Sequence, residues 1–104
     1  RAAEVYAGAT LRFEGEASLW INWGNLEHAT GNTLLARSLF DKAIQAAPND
    51  ARPYKAAGDA AAAGLDLARA REHYFRGAAA ADHQATNRAL RRAARAARAA
   101  RAAR

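Results

Sequence analysis

Histidine and carboxylate side chains are the groups in this sequence best suited to metal binding or acid–base chemistry. His28, His73 and His83 lie on different predicted helices or linkers, and none has a second ligand three or four residues away, the spacing of a helical metal site. For Glu27, a structural hydrogen bond or ion pair to a neighbouring helix is a better explanation than catalysis. We therefore expect no metal and no cofactor.

The sequence contains no pattern of a catalytic centre. Because it has no cysteine, it has no thiolate nucleophile, no disulfide and no cysteine-ligated zinc. It also lacks a nucleophile elbow, a P-loop and a dinucleotide-binding glycine fingerprint. We expect a protein that is not an enzyme and has no catalytic residues.

The basic charge of the chain is concentrated at its C-terminal end. Residues 1–84 contain nine basic and ten acidic residues, whereas residues 85–104 contain seven arginines and no acid. From Arg92 to Arg104 an arginine occupies every third position, so these side chains spiral around a helix and form no single stripe. Two interpretations stay open: contact with phosphates of an acidic partner such as RNA, or a solvated helix end. The seven arginines are Arg88, Arg91, Arg92, Arg95, Arg98, Arg101 and Arg104.

The chain has no segment typical of a membrane protein. No apolar run reaches the roughly 20 residues that a membrane helix needs, and no signal peptide opens the sequence. Its length allows one compact domain or a few units of a repeat. We expect a soluble, intracellular protein that binds no membrane; the sequence leaves the compartment open, an organelle included.

A repeat of 34 residues organises most of the sequence. A shift by 34 aligns residues of the same size class. The aligned sets are Trp20 with Tyr54; Gly24 with Gly58; Ala2, Ala36 and Ala70; Tyr6, Phe40 and Tyr74; and Ala9, Ala43 and Gly77. This period is the length of a unit of two helices, and small residues at matched positions let two helix backbones approach closely.

Capping and breaking residues divide the chain into six predicted helices. Asn32 or Thr33 can cap one helix, and the turn at residues 48–50 ends it. Pro53 suits the first turn of the next helix, and Asp66 can cap the one after. The predicted helices cover residues 1–13, 18–30, 33–46, 52–63, 66–80 and 85–102. The first helix then belongs to a unit that begins earlier, so we expect a fragment of a longer array.

Residues 18–50 resemble a tetratricopeptide repeat (TPR) unit. The matching residues are Trp20, Trp23 and Gly24 in the first helix, Gly31 in the turn, Ala36, Phe40 and Ala43 in the second helix, and Pro48 at the exit. The spacing of Trp20, Trp23 and Glu27 also resembles the half-a-TPR (HAT) variant, a family associated with RNA-processing assemblies. This resemblance covers roughly residues 1–80 and implies an all-α, right-handed superhelical array of antiparallel helix pairs.

The resemblance also implies a division of the chain. Residues 1–16 are the second helix of a preceding unit, 17–50 form one unit and 51–84 the next. Residues 85–104 form a basic, Arg/Ala-rich capping or extension helix, because the repeat pattern fails there.

A ligand groove follows from the same resemblance. In TPR-like arrays the first helices of successive units line the concave surface. The corresponding groove residues here are Asn22, Asn25, His28, Arg52, Lys55 and Asp59. Asn25, Arg52 and Lys55 resemble part of a clamp for a peptide carboxylate, although Ile21 occupies the first basic position of that clamp. A solvated polar groove is the alternative.

We therefore expect a non-catalytic scaffold that binds a protein or peptide segment in its groove, as part of an RNA-processing or ribonucleoprotein assembly. The C-terminal helix would contact RNA or another acidic partner. One alternative is a HAT-like array whose groove binds single-stranded RNA; another is a structural stretch of a longer solenoid. The near-neutral charge of residues 1–84 favours the scaffold.

Overall fold

The computed structural model describes residues 2–103, which form five α-helices joined by short turns. The helices are α1 (Ala2–Arg12), α2 (Ala17–Ala29), α3 (Thr33–Ala46), α4 (Ala51–Ala63) and α5 (Leu67–Ala102). Residues 2–103 contain no β-strand. The predicted all-α class is confirmed.

The helices pack in antiparallel pairs. Ala17 at the start of α2 packs with Ala43 near the end of α3. In the same way Tyr54, near the start of α4, lies beside Gly77 in α5. Contacts of α3 with α4 and of α1 with α2 join these pairs in chain order. The packing is therefore that of a helical array, in which each pair rests on its neighbour.

One close contact recurs in both pairs. A Cβ atom added at Gly24 would lie 2.6 Å from Cε1 of Phe40, and one added at Gly58 would lie 2.6 Å from Cε1 of Tyr74. Each ring therefore lies against bare helix backbone, which only glycine permits at this distance. The 34-residue shift that aligns these residues in the sequence is thus a repeat of packing.

The two aromatic rings differ in what covers their other side. Phe40 is 1% exposed, because Ala57 of α4 packs on it together with Ala56 and Ala60. Tyr74 is 42% exposed, since no helix formed by residues 2–103 covers the corresponding face of α5. The ring of Phe40 is therefore packed between two helices, whereas the ring of Tyr74 is packed on one side only.

The helix caps follow the sequence in part. Asp66 accepts a hydrogen bond from the backbone N–H of Arg69 over 3.2 Å, which confirms the predicted cap. Asn32 occupies the N-cap position of α3, but its side chain makes no capping hydrogen bond. Asp50 caps α4 by accepting from the backbone N–H of Arg52 over 3.0 Å.

The predicted break between residues 80 and 85 is wrong. Residues 67–80 and 85–102 belong to one helix, α5, of 36 residues. Residues 78–102 contain neither glycine nor proline, so nothing in the backbone stops the helix from continuing. A helix of this length measures about 54 Å, which accounts for most of the 61 Å longest dimension of the molecule.

The second half of α5 extends past the rest of the protein. Ala80 is the last buried residue, and from Ala81 to Ala103 only Asn87 is half-buried. We call residues 81–102 the extension. None of the helices formed by residues 2–103 has the length and apolar character needed to cross a membrane.

The different surroundings of Phe40 and Tyr74 predict different effects when the glycine that each ring contacts is replaced by alanine. Overpacking a filled core costs about 1–3 kcal/mol, and alanine regains up to about 1 kcal/mol of helix propensity over glycine. We expect Gly24→Ala to lower the free energy of unfolding by about 1–2 kcal/mol, because Phe40 cannot move. Gly58→Ala should change it by less than about 1 kcal/mol, because the ring of Tyr74 can shift outward.

Urea unfolding followed by circular dichroism measures both values. An equal loss of unfolding free energy in the two variants would show that the ring of Tyr74 can move no more than that of Phe40, and would contradict the prediction.

Candidate functional site

An open groove of about 320 Å³ lies between α2 and α4. Its lining residues are Asn25 and His28 from α2, and Arg52, Lys55, Ala56, Asp59 and Ala60 from α4. Five of the six groove residues expected from the sequence are therefore neighbours. The sixth, Asn22, is exposed on α2 but lies outside the lining.

Arg52 is held by partners from its own chain. Its guanidinium donates to both carboxylate oxygens of Asp50, with a shortest distance of 2.6 Å, and donates to Oγ of Ser18 over 2.9 Å. Ser18 and Arg52 are 34 residues apart, so this bond joins equivalent positions of α2 and α4. Hydrogen bonding from Arg52 lowers the pKa of Asp50, and the same pairing raises the pKa of Arg52.

Lys55 is paired in a similar way. Its ammonium lies 2.9 Å from Oδ2 of Asp59, four residues later on α4. The hydroxyl of Tyr74 on α5 donates to the other oxygen, Oδ1, over 2.6 Å. The hydrogen bond from Tyr74, followed by that from Lys55, lowers the pKa of Asp59. The same hydrogen bond to Asp59 raises the pKa of Tyr74.

These pairs make the groove polar but electrically balanced. The two cations of the suggested carboxylate clamp, Arg52 and Lys55, each already contact an acid. A peptide carboxylate would have to displace Asp50 or Asp59 to reach them. The geometry therefore suits hydrogen bonding to a neutral polar segment better than capture of a free carboxylate.

Glu27 has a structural role, as expected. It is 6% exposed, and its Oε2 accepts a hydrogen bond from Nδ2 of Asn32 over 2.6 Å. The backbone N–H of Asn32 also donates to the carbonyl of Glu27, over 2.8 Å. Asn32 therefore ties the end of α2 to the start of α3, which explains why its side chain does not cap α3.

The histidines have different surroundings. His73 is buried, with only 9% of its surface exposed. Burial lowers the pKa of His73, and the charge of Arg76 lowers it further. His28 and His73 line a shared cavity of about 300 Å³. Residues 2–103 contain no group of three His, Asp or Glu side chains that could hold a metal ion.

A polar pocket of about 310 Å³ lies where α5 passes the turn between α3 and α4. Its lining residues are Asn49 from the turn and His83, Gln84, Asn87, Arg88 and Arg91 from α5. Asn87 and His83 are joined by a hydrogen bond of 3.1 Å between Nδ2 and Nε2. No acidic residue lines this pocket, in contrast to the groove.

The arginines of the extension stay accessible. Arg88, Arg91, Arg92, Arg95, Arg98 and Arg101 are exposed, and Arg104 lies outside the described residues. None of the ion pairs within residues 2–103 involves an arginine of the extension. These guanidinium groups therefore differ from that of Arg52, which its own chain neutralises.

Several features of these sites were not predicted from the sequence. The pairing of Lys55 with Asp59 has the visible signal of an i, i+4 spacing on one helix. Asp50 has a signal too, because an acid before a helix start commonly caps it. Tyr74 and Asn49 have no local signal, since each meets its partners only through the packing of distant helices.

The two hydrogen bonds to Asp59 predict which substitution raises its pKa more. Tyr74→Phe removes the larger cause of the lowered pKa, so it should raise the pKa of Asp59 more than Lys55→Gln does. NMR titration of the side-chain carboxyl measures both values. A larger rise in Lys55→Gln would contradict the assigned order of the two hydrogen bonds.

The same shift predicts how stability depends on pH. Because folding lowers the pKa of Asp59 from its ordinary value of 3.8, its contribution to stability is complete above that value. The contribution declines as pH falls below 3.8 and is lost below the lowered pKa of the folded state. Tyr74→Phe should reduce this acid-sensitive part of the stability, as measured by urea unfolding across this range.

Comparison of the chain with protein-family models, with curated proteins and with solved structures gives no match in any of the three.

Proposed function

We propose that the chain is a non-catalytic helical-repeat scaffold whose groove between α2 and α4 binds a segment of another protein. The observation that carries this proposal is the groove itself, in which Asn25 and three charged side chains of α4 line one open surface. These charged side chains are Arg52, Lys55 and Asp59, and each has a partner within the chain.

The polar character of the groove supports a neutral, extended ligand. The side-chain amide of Asn25 can both donate and accept hydrogen bonds, as the backbone of a bound segment requires. Ala56 and Ala60 add small apolar surface between the charged groups. Because the paired charges leave no excess of one sign, the groove has little attraction for a polyanion.

We propose further that the helix pairs belong to a right-handed superhelical array of the TPR or HAT kind. Two features support a repeating unit: the glycine–aromatic contact at Gly24 and Gly58, and the bond between the equivalent residues Ser18 and Arg52. In such an array the first helices line the concave side, where α2 and α4 form the groove.

The exposed arginines of the extension support contact with RNA or another acidic partner. A ribonucleoprotein or RNA-processing assembly would present both a protein ligand and RNA, so it suits a chain with a neutral groove and a basic helix. The rival is an array that binds single-stranded RNA in the groove; the balanced charge of the groove argues against it.

The two lysines of the chain provide an internal test of the groove. Lys55 lines the groove, whereas Lys42 on α3 lies outside the lining. Peptides would be selected on the whole protein from a random display library, and lysine acetylation would be followed by mass spectrometry. A selected peptide should slow acetylation of Lys55 several-fold and leave Lys42 unchanged.

Two asparagines on α2 provide a matched pair of variants. Asn25→Ala should weaken peptide binding, because Asn25 lines the groove, whereas Asn22→Ala should leave it unchanged. Protection of Lys42 alone, or equal effects of the two variants, would contradict the proposal. Protection of Lys55 by an oligouridylate would favour the rival in which the groove binds RNA.

A further inference from the structure

The buried face of α5 continues into the extension as a row of arginines. The buried residues of α5 are Ala70, His73, Gly77 and Ala80. Each is followed 18 residues later by an arginine, at Arg88, Arg91, Arg95 and Arg98 respectively. Eighteen residues make five full turns, so these arginines occupy the face that packs on α4 in the first half of the helix.

From Arg92 to Arg98 the expected spiral covers only about 120°, so these arginines stay on one side of the helix. Because α5 is one helix, angles can be counted along a single axis from Arg88. Five arginines, from Arg88 to Arg98, then lie within an arc of about 120°, and Arg101 lies outside it. We call these five residues the basic face; they are Arg88, Arg91, Arg92, Arg95 and Arg98.

The basic face begins at the body of the protein. Arg88 and Arg91 line the polar pocket together with Asn49 of the α3–α4 turn. Asn87 of this pocket is the only half-buried residue between Ala81 and Ala103. The pocket is therefore the place where the basic face meets the folded repeats, so the turn can contact whatever lies along the face.

No acidic side chain within residues 2–103 pairs with this surface. Asp82, the last acidic residue of the chain, is turned about 140° away from the centre of the basic face. Asp50, next to Asn49, is already engaged by Arg52 at 2.6 Å. The basic face thus keeps its positive charge, and the polar pocket offers uncharged donors beside two guanidinium groups.

The chemistry of the face indicates the class of its ligand. Apart from the arginines, the side chains along it are Gln84 and alanines, and Leu90 lies on the opposite side of the helix. A protein partner needs a buried apolar anchor, which this face lacks. A polyanion with regularly spaced charges needs only cations, and the five arginines extend over about 15 Å.

We infer that the polar pocket and the basic face bind the phosphodiester backbone of a nucleic acid. One phosphate occupies the pocket between Asn49, Arg88 and Arg91, and neighbouring phosphates contact Arg95 and Arg98. The site rests on the part of the proposed function that assigns an acidic partner to the extension. It is separate from the groove, which keeps its protein ligand.

The test measures binding of a labelled oligouridylate and of a short RNA duplex to the whole protein by fluorescence anisotropy. Arg91→Gln should weaken binding about fivefold and reduce the salt slope for the single strand by about 0.7, the value of one lost phosphate contact. Arg101 lies outside the inferred site, about 120° from the centre of the basic face, so Arg101→Gln removes the same charge and should change the affinity less than twofold.

A second matched pair separates the pocket from the groove. Asn49→Asp places a negative charge in the pocket and should weaken RNA binding several-fold. The variant should stay folded, because an acid next to the start of α4 is favourable for that helix. Asn25→Asp makes the same change in the groove and should have no effect on RNA binding. Circular dichroism of these exposed variants checks that each stays folded.

The inference holds if Arg91→Gln and Asn49→Asp weaken binding of either RNA probe while the two controls do not; the tighter probe identifies the form of the backbone. Equal losses in Arg91→Gln and Arg101→Gln, with none in Asn49→Asp, would overturn it in favour of diffuse attraction. Loss in Asn25→Asp alone would place RNA in the groove.

Failure of both RNA probes with binding of polyglutamate would overturn the nucleic-acid class. Binding of none of these probes would also overturn the inference. Lysine protection by a peptide reports the groove separately, so failure of the nucleic-acid site and failure of the scaffold are distinguishable.

Discussion

Both helix pairs depend on a glycine that lets an aromatic ring lie against the facing backbone. Gly24 receives Phe40, and Gly58 receives Tyr74, with the same distance of 2.6 Å from an added Cβ to Cε1. Because Phe40 also packs under Ala57, this ring fixes the position of α4 relative to α2. The groove lies between these two helices, so its shape follows from a contact on the side of α2 that faces α3.

The distribution of charge separates two surfaces of different character. In the groove, Asp50 and Asp59 neutralise the neighbouring cations, and hydrogen bonds from Arg52 and Tyr74 keep both carboxylates ionised. Along the extension, no acid in the described part of the chain forms an ion pair with the arginines of the basic face. A polyanion therefore meets attraction at one surface only, while the other offers directed hydrogen bonds. The two surfaces therefore differ in charge as well as in position.

Part of this organisation could be predicted from the sequence because it is periodic or local. The 34-residue shift matched Gly24 with Gly58 and Phe40 with Tyr74, which make the same contact. Asp66 was identified as a cap from its position alone. The predicted break at residues 81–84 was wrong, since these residues include no glycine or proline that would end the helix. The partners of Tyr74 and Asn49 depend on how distant helices pack, which no local pattern contains.

The continuity of α5 has a consequence for how the extension holds its conformation. A helix of alanine and arginine must first form a nucleus, an unfavourable step for an isolated segment in water. Here residues 67–80, packed on α4, supply that nucleus, and the extension only has to propagate from it. Repulsion among the arginines opposes this propagation and their helix propensity favours it. Melting of the α4–α5 pair would therefore also scatter the guanidinium groups that the helix aligns.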